Sequence, residues 1–340
     1  MLFMTLMCAT LLGVWLFVTN PMENYIDEIA FTRFAIEYQK EYSSAEERER
    51  RKAIFVANQK RIAEINREGH PFTLAMNQFG DLSDEEFARY YLTENPIPES
   101  ILNQTPFTLP EDYEAPEDVI DWDEKGKVTP VRDQGLCGSC WTFGSVSVVE
   151  TFHAIKKGKL EHFSEQQLVD CCLTKDSHGC SGGEAEDGIG YFTKYKAMLA
   201  KDYPYTALDE KCKYEEKKGE DIGIQTGVLA FKVIEPGNTQ AMQERLKEGT
   251  MYVSVNSGAI AFRFYKKGII TQGCPHETLG HGVTLIGSGE EDGIKFWRIK
   301  NSWGPNWGDR GYLKIKRELG TGIMGVCGIG RHAVFPTDKP

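Results

Sequence analysis

The chain has 340 residues, 41% hydrophobic and 26% charged, ordinary for a soluble globular protein and enough for two domains or one enzyme domain plus a removable segment. A net charge of −11 argues against a nucleic-acid partner. That charge is uneven: residues 1–114 hold 10 Lys+Arg against 19 Asp+Glu, residues 115–340 hold 29 against 31, as expected of two units with different tasks.

Residues 1–18 are almost wholly apolar, interrupted by Thr5, Thr10 and small residues. The expectation is a secretory signal peptide over 1–19. A membrane anchor is the second reading, because no Lys or Arg precedes the run and no small-x-small cleavage site follows it. Of the nine cysteines, Cys8 lies in this leader. The other eight, in an oxidising compartment, default to disulfides.

In residues 24–42, Tyr25, Ile29, Phe34 and Tyr38 recur at helical spacing. Ser44-Ala45-Glu46-Glu47 has the form of a capping box opening a longer helix. Along it Ile54, Phe55, Asn58, Ile62, Ile65 and Asn66 form a packing stripe. Ser83-Asp84-Glu85-Glu86 reads as another capping box, with a short helix through Tyr91. Prolines 96, 98, 106, 110 and 116 then mark an extended linker. It carries the glycosylation sequon Asn103-Gln104-Thr105, and an exposed acidic join of this kind invites proteolysis.

From residue 115 the texture is helical first: an apolar helix over 142–150 with Cys140 near its first turn, a helix over 164–172, and a region at 184–197. Strand signals follow at 251–255, 283–286, 296–299 and 312–315. Helices first and strands later predict an α+β domain with a cleft between its halves.

The motif Cys137-Gly138-Ser139-Cys140 has three readings: a redox pair, half a zinc site, or a nucleophile beside a structural cysteine. A thiol at a helix N-terminus favours its thiolate. Acyl transfer by a thiol also needs a base, a group orienting it, and oxyanion donors. His281, before an apolar strand, is a candidate base and Asn301, before Ser302-Trp303-Gly304, a candidate orienting group. Each taken alone reads as a structural histidine and a turn residue.

Together, Gln134, Cys140, His281 and Asn301 resemble the catalytic set of papain-like cysteine peptidases in order and context. Glu47, Arg51, Ile54, Phe55, Asn58, Ile62 and Asn66 resemble the interspersed motif of cathepsin L-like propeptides. Residues 75–81 resemble the second propeptide motif, with Ala75 where that family usually has Gly.

The resemblance implies a papain-like two-lobed fold: a helical lobe and an antiparallel β-barrel-like lobe with the active site in the cleft, preceded by a helical propeptide. It places the propeptide at 20–114, with its linker along the cleft, and the peptidase at 115–340. It implies a cysteine endopeptidase made as a zymogen, with Cys140 and His281 as a thiolate–imidazolium pair that forms a thioester acyl-enzyme. Gln134 and the Cys140 backbone N–H would bind the oxyanion, and Trp303 would cover the His281–Asn301 bond.

The family's disulfide pairing implies Cys137–Cys180, Cys171–Cys212 and Cys274–Cys327, leaving Cys172 without a partner. With no second ligand pair at metal spacing and no βαβ pattern, the zinc and redox readings recede. No metal or cofactor is expected. Gly182 and Gly183 would pair with an extended substrate. Glu184, Ala185, Asn256, Leu279, Gly282 and His332 would surround the pocket for the second residue upstream of the cut. His332 and Glu184 make a polar or basic side chain conceivable there; a preference for Leu or Phe is the competing reading. Thr142 and Gly144 replace the usual small residue and Ser.

Expected partners are protein or peptide substrates, the chain's own propeptide and cystatin-like inhibitors, acting on a monomer in the lysosome, vacuole or extracellular space. Loss of paired carboxylates at low pH would loosen the propeptide. A peptide ligase and a non-catalytic binding protein on the same scaffold are the other function classes.

Overall fold

A computed structural model describes residues 21–92, 106–109, 113, 119–214, 222–276 and 280–339. The expected leader, the Asn103 sequon and Leu279 lie outside these residues. The chain divides after Val56 into two compact units.

The first unit is a helical hairpin of α1 (Pro21–Glu37) and the start of α2 (Ala45–Arg67). Its buried face is only partly the expected one: Phe34 is enclosed, but Tyr25 is 64% exposed and Phe31, outside the expected set, is enclosed. Phe31 packs on Phe34, Tyr42 and Phe55, so the aromatic cluster, rather than the i, i+4 apolar spacing, decides which side faces inward. Only half of the first capping box was found: Ser44 Oγ accepts from Glu47 N, while the Glu47 carboxylate pairs with Arg50 and Arg51.

Glu28 accepts from Arg48 and Lys52, which hold its carboxyl down at about 2. Sign matters here. A depressed carboxylate stabilises the fold above its unfolded pKa and loses that contribution only as pH falls toward its folded value. The Glu28 pairs therefore stay charged at pH 4–5, and loosening at that pH cannot come from them.

In the second unit the remainder of α2 leads to β1 (Phe72–Leu74) and α3 (Asp84–Tyr91). Here the capping box is complete: Ser83 Oγ accepts from Glu86 N, and Glu86 accepts from Ser83 N. Asn58 donates to the carbonyls of Gly80 and Leu82. Asn66 exchanges two bonds with Leu74. The asparagines of the helix stripe thus fasten the chain that follows.

Next come β2 (Ile120–Asp121), α4 (Cys140–Lys157), α5 (Glu165–Cys171), α6 (Ala185–Tyr191), β3 (Ala230–Val233), α7 (Thr239–Leu246), β4 (Met251–Val255), α8 (Ile260–Arg263), β5 (Tyr265–Ile270), β6 (His281–Glu291), β7 (Ile294–Lys300), β8 (Tyr312–Lys316) and β9 (Ala333–Thr337). Two large hydrophobic cores form among the described residues. One gathers α4, α5 and α6 around Trp141, Val149, Leu168 and Ile189. The other lies on the sheet around Val253, Phe262, Leu285, Ile299 and Trp307. These are the two lobes.

Among the described residues the strands run β1-β5-β8-β7-β6-β4-β9-β3, with β2 on the far end of β6. The sheet is open, not a closed barrel, and β5 pairs with β8 in parallel. Strand β1 was not anticipated. The alternation of Phe72, Thr73 and Leu74 is too short to mark a strand, and pairing with β5, far along the chain, creates it.

Candidate active site

Helix α4 begins at Cys140 and packs along β6, which begins at His281. The helix is buried through most of its length, so its apolar composition serves packing on all sides. Cys140 is 1% exposed and outside the three disulfides. Those disulfides are Cys137–Cys180, Cys171–Cys212 and Cys274–Cys327. With Cys137 bound to Cys180, the motif is not a Cys-x-x-Cys redox pair. Cys172 is enclosed against the Asp187 carbonyl, and burial pushes its thiol up to about 12.

The glycine at 144 and the one at 282 answer a single neighbour. A Cβ at Gly144 would lie 2.5 Å from the Tyr252 ring, and one at Gly282 would lie 2.1 Å from its hydroxyl. Tyr252 on β4 thus fills the space between the first turns of α4 and the start of β6. Gly144 reflects that packing, at a helix cost of about 0.5–1 kcal/mol relative to Ala. On the other side of α4, Trp141 donates to the Gly179 carbonyl and leaves no room for a Cβ at Gly183, 2.6 Å from its indole. The Gly182–Gly183 rim is built on Trp141.

His281 Nε2 lies 2.7 Å from Asn301 Oδ1. That oxygen also accepts from Ser302 N at 2.8 Å, which fixes the amide's orientation and makes Nε2 the protonated nitrogen. Nδ1 then holds a lone pair, and no other group among the described residues hydrogen-bonds it. Trp303 stacks on the imidazole at 4.6 Å. Burial pushes His281 down to about 4, against the bond from Asn301. A charged imidazole here needs an anion beside it.

Gln134 is fully buried. Its Oε1 accepts from Ser302 Oγ at 2.7 Å and its Nε2 donates to the Cys137 carbonyl at 2.9 Å. Its backbone N donates to the Ser302 carbonyl. Ser302 therefore ties Gln134 to Asn301, and Tyr205 adds bonds to the Gln134 carbonyl and to Ser139 Oγ. Sequence reasoning missed both; Ser302, flanked by Asn301 and Trp303, was the more discoverable. Beneath them Lys300 donates to Thr129, and Arg132 pairs with Glu150 and Glu165.

The expected pocket residues divide. Glu184 precedes α6 without a side-chain capping bond, Ala185 is buried at the helix start, and Gly282 lies against Tyr252. His332 Nδ1 and Nε2 lie 2.8 Å from Ser254 Oγ and from Glu186 Oε1. Asn256, by contrast, binds its own loop, donating to the Pro275 carbonyl and accepting from Gly258 N.

The 57–92 segment covers Trp303. Phe79, Phe87 and Tyr91 pack on the indole, and Gln78 donates to the Trp303 carbonyl. Arg263, 1% exposed, donates to the carbonyls of Phe79 and Leu82 and pairs with Asp84. Burial lowers its guanidinium to about 10.

A thiol at a helix start, a buried imidazole held by an amide, and a covering N-terminal segment define a thiol hydrolase carrying its own inhibitor. The papain family cysteine protease domain matches residues 115–337 and the cathepsin propeptide inhibitor domain residues 31–87. The senescence-specific cysteine protease SAG39 of Oryza sativa subsp. japonica is 33% identical over 99% of this chain and 98% of its own. Pro-cathepsin H of Bos taurus is 35% identical over 97% of each chain. The structure of recombinant stem bromelain precursor superposes with a TM-score of 0.80 at 31% identity, covering 93% of this chain and 100% of that one. The chain belongs to the papain family of cysteine proteases. It is a zymogen whose propeptide domain is its own inhibitor and whose substrates are proteins.

Proposed function

We propose that Cys140 attacks the scissile carbonyl while His281 Nδ1 takes its proton, giving a thiolate–imidazolium pair and then a thioester that water hydrolyses. The observation that carries this reading is the Asn301-held imidazole under Trp303, with Nδ1 left as the acceptor. The buried site disfavours a lone imidazolium, so a neighbouring thiolate would be its counter-charge. Gln134, oriented by Ser302, has a second Nε2 hydrogen for the oxyanion, joined by the Cys140 backbone N–H. One such donor is typically worth about 2.7–4 kcal/mol. Gly182 and Gly183 would align the substrate, with Glu184, Ala185, Gly282 and His332 meeting its side chain.

The domain reading that accompanies this is a leader at 1–19, a propeptide at 20–114 and a peptidase at 115–340, glycosylated at Asn103. It would act as a monomeric endopeptidase in the secretory pathway, lysosome, vacuole or exterior, open to cystatin-like inhibitors. Acid conversion would not act through the Glu28 pairs, whose carboxyl is held down at about 2.

The test is labelling of the processed protein by a thiol-directed epoxide, mapped by mass spectrometry, alongside peptide hydrolysis. One adduct at Cys140, with both labelling and hydrolysis lost in Cys140→Ala, is the expected result. Hydrolysis surviving in Cys140→Ala would overturn the reading.

A further inference from the structure

Strand β4 divides its side chains between the two lobes. Met251, Val253 and Val255 belong to the core on the sheet, and the period-two alternation turns Tyr252 and Ser254 to the opposite face. Tyr252 accordingly joins the other core, with Trp141, Val146 and Val149 of α4. Ser254 reaches the helical lobe by a polar route, through His332 to Glu186 on α6. One strand thus carries both an aromatic knob and a hydrogen-bonded bridge between the lobes.

The knob lies between the two halves of the chemistry. Gly144 stands one turn along α4 from Cys140, and Gly282 follows His281 on β6. A Cβ at Gly144 would meet ring atoms of Tyr252 at 2.5 and 2.7 Å, and one at Gly282 would meet its hydroxyl and ring at 2.1, 2.5 and 2.6 Å. The ring therefore packs on bare backbone on both sides, with no side chain between to yield. Cys140, Glu184, Ser254 and Glu186 face its hydroxyl. Burial pushes the phenol well above its ordinary value, so it stays protonated and takes no part in the proton transfers proposed above.

A close-packed interior transmits displacement rather than absorbing it. A shift of α4 at Gly144 carries Cys140 with it, and a shift of β6 at Gly282 carries His281. What holds these two backbones apart is one aromatic side chain. We propose that Tyr252 is a positioning residue: its ring sets the spacing between the Cys140 helix and the His281 strand, and Gly144 is the residue of α4 that admits it. This rests on the Cys140–His281 reading, which makes that spacing matter for rate. Misplacing reacting groups by about 1 Å can cost about 10²-fold.

The test measures kcat and KM of processed enzyme on one peptide substrate, with epoxide labelling of Cys140 and thermal melting alongside. Tyr252→Leu thins the spacer, and Gly144→Ser pushes the ring from the helix side. Each should lower kcat by about tenfold or more with KM little changed. Tyr252→Phe, which keeps the ring, should retain most of the turnover. Because both substitutions act on one contact, the double variant should lose less than the product of the single losses. If Gly144→Ser does not fold, Tyr252→Leu decides alone. Glu186→Gln is the control, since it breaks the polar bridge and lowers the melting temperature while leaving kcat in place. A loss that merely followed stability would appear there too. Enzyme labelled at Cys140 whose kcat is unmoved by Tyr252→Leu, falls equally in Glu186→Gln, or changes only through KM overturns this proposal and leaves the catalytic reading standing. Enzyme not labelled at Cys140 overturns the catalytic reading and this proposal with it.

Discussion

Two buried histidines flank strand β4 and are held in opposite states. His281 is 2% exposed and His332 3%, so desolvation disfavours a proton on either. His281 meets a neutral amide and is pushed down to about 4. His332 is desolvated too, but Glu186 and Glu184 outweigh that, and its pKa is raised. The charge of the partner, not the depth of burial, decides the state. One ring is kept as a proton acceptor and the other as a fixed cation.

The comparison breaks most visibly in turnover. His281→Ala should lower kcat/KM by about 10⁴-fold or more, as removal of a general base from a catalytic set does. His332→Gln should instead leave epoxide labelling of Cys140 in place and most of the turnover intact. Steady-state kinetics on one peptide substrate separates the two outcomes.

Asn301→Asp would give His281 the kind of partner His332 has. The acid limb of kcat/KM against pH should then move upward, because a carboxylate stabilises the imidazolium. An unmoved limb would mean that Asn301 does not govern His281.

Stability should respond at His332 with the opposite pH sense. A histidine whose folded pKa is raised stabilises the fold below its unfolded value, near 6.5, and loses that contribution as pH rises through its folded value. Glu186→Gln should therefore destabilise by about 1–3 kcal/mol at pH 6 in urea melts, with the gap narrowing toward pH 9. Glu184 is pushed up to about 7 by burial and by Glu186 against His332, with Asp187 and Asp176 also facing it.

Packing gives a comparable effect away from titration. Gly144→Ser should cost about 1–3 kcal/mol, because its Cβ meets the Tyr252 ring at 2.5 Å. Tyr252→Ala in the same chain should recover part of that loss. The smallest expected effect is in the hairpin. Hydrogen exchange of α1 and α2 in the Cys140→Ala precursor should stay protected from pH 7 to pH 4, since Glu28 titrates at about 2.

Three of the four residues proposed for the chemistry carry a local mark in the sequence, a Cys before Trp141 at a helix start, a His before an apolar strand and an Asn before Ser-Trp-Gly, whereas Gln134 came only with the family resemblance. The capping box at Ser83 and the core of β4 were legible for the same reason. What escaped depends on distant contacts. Gly144 looked like a helix defect until Tyr252, over a hundred residues away, was found against it. The face of α1 was legible at Phe34 but not at its start, because Phe31 packs on Phe55 while Tyr25 and Ile29 stay exposed. Glu186 was passed over between Ala185 and Asp187, since nothing in the local sequence says it meets His332. The sheet's open edges and the parallel β5–β8 pair follow from pairing order, which strand propensity does not encode.

The contrast between the two rings is measured most directly by nuclear magnetic resonance titration of labelled histidines in the full-length Cys140→Ala precursor, with His281→Gln and His332→Gln for assignment. The account predicts that His281 stays neutral down to about pH 4, while His332 remains protonated above its ordinary value. Two rings titrating together near pH 6.5 would contradict it.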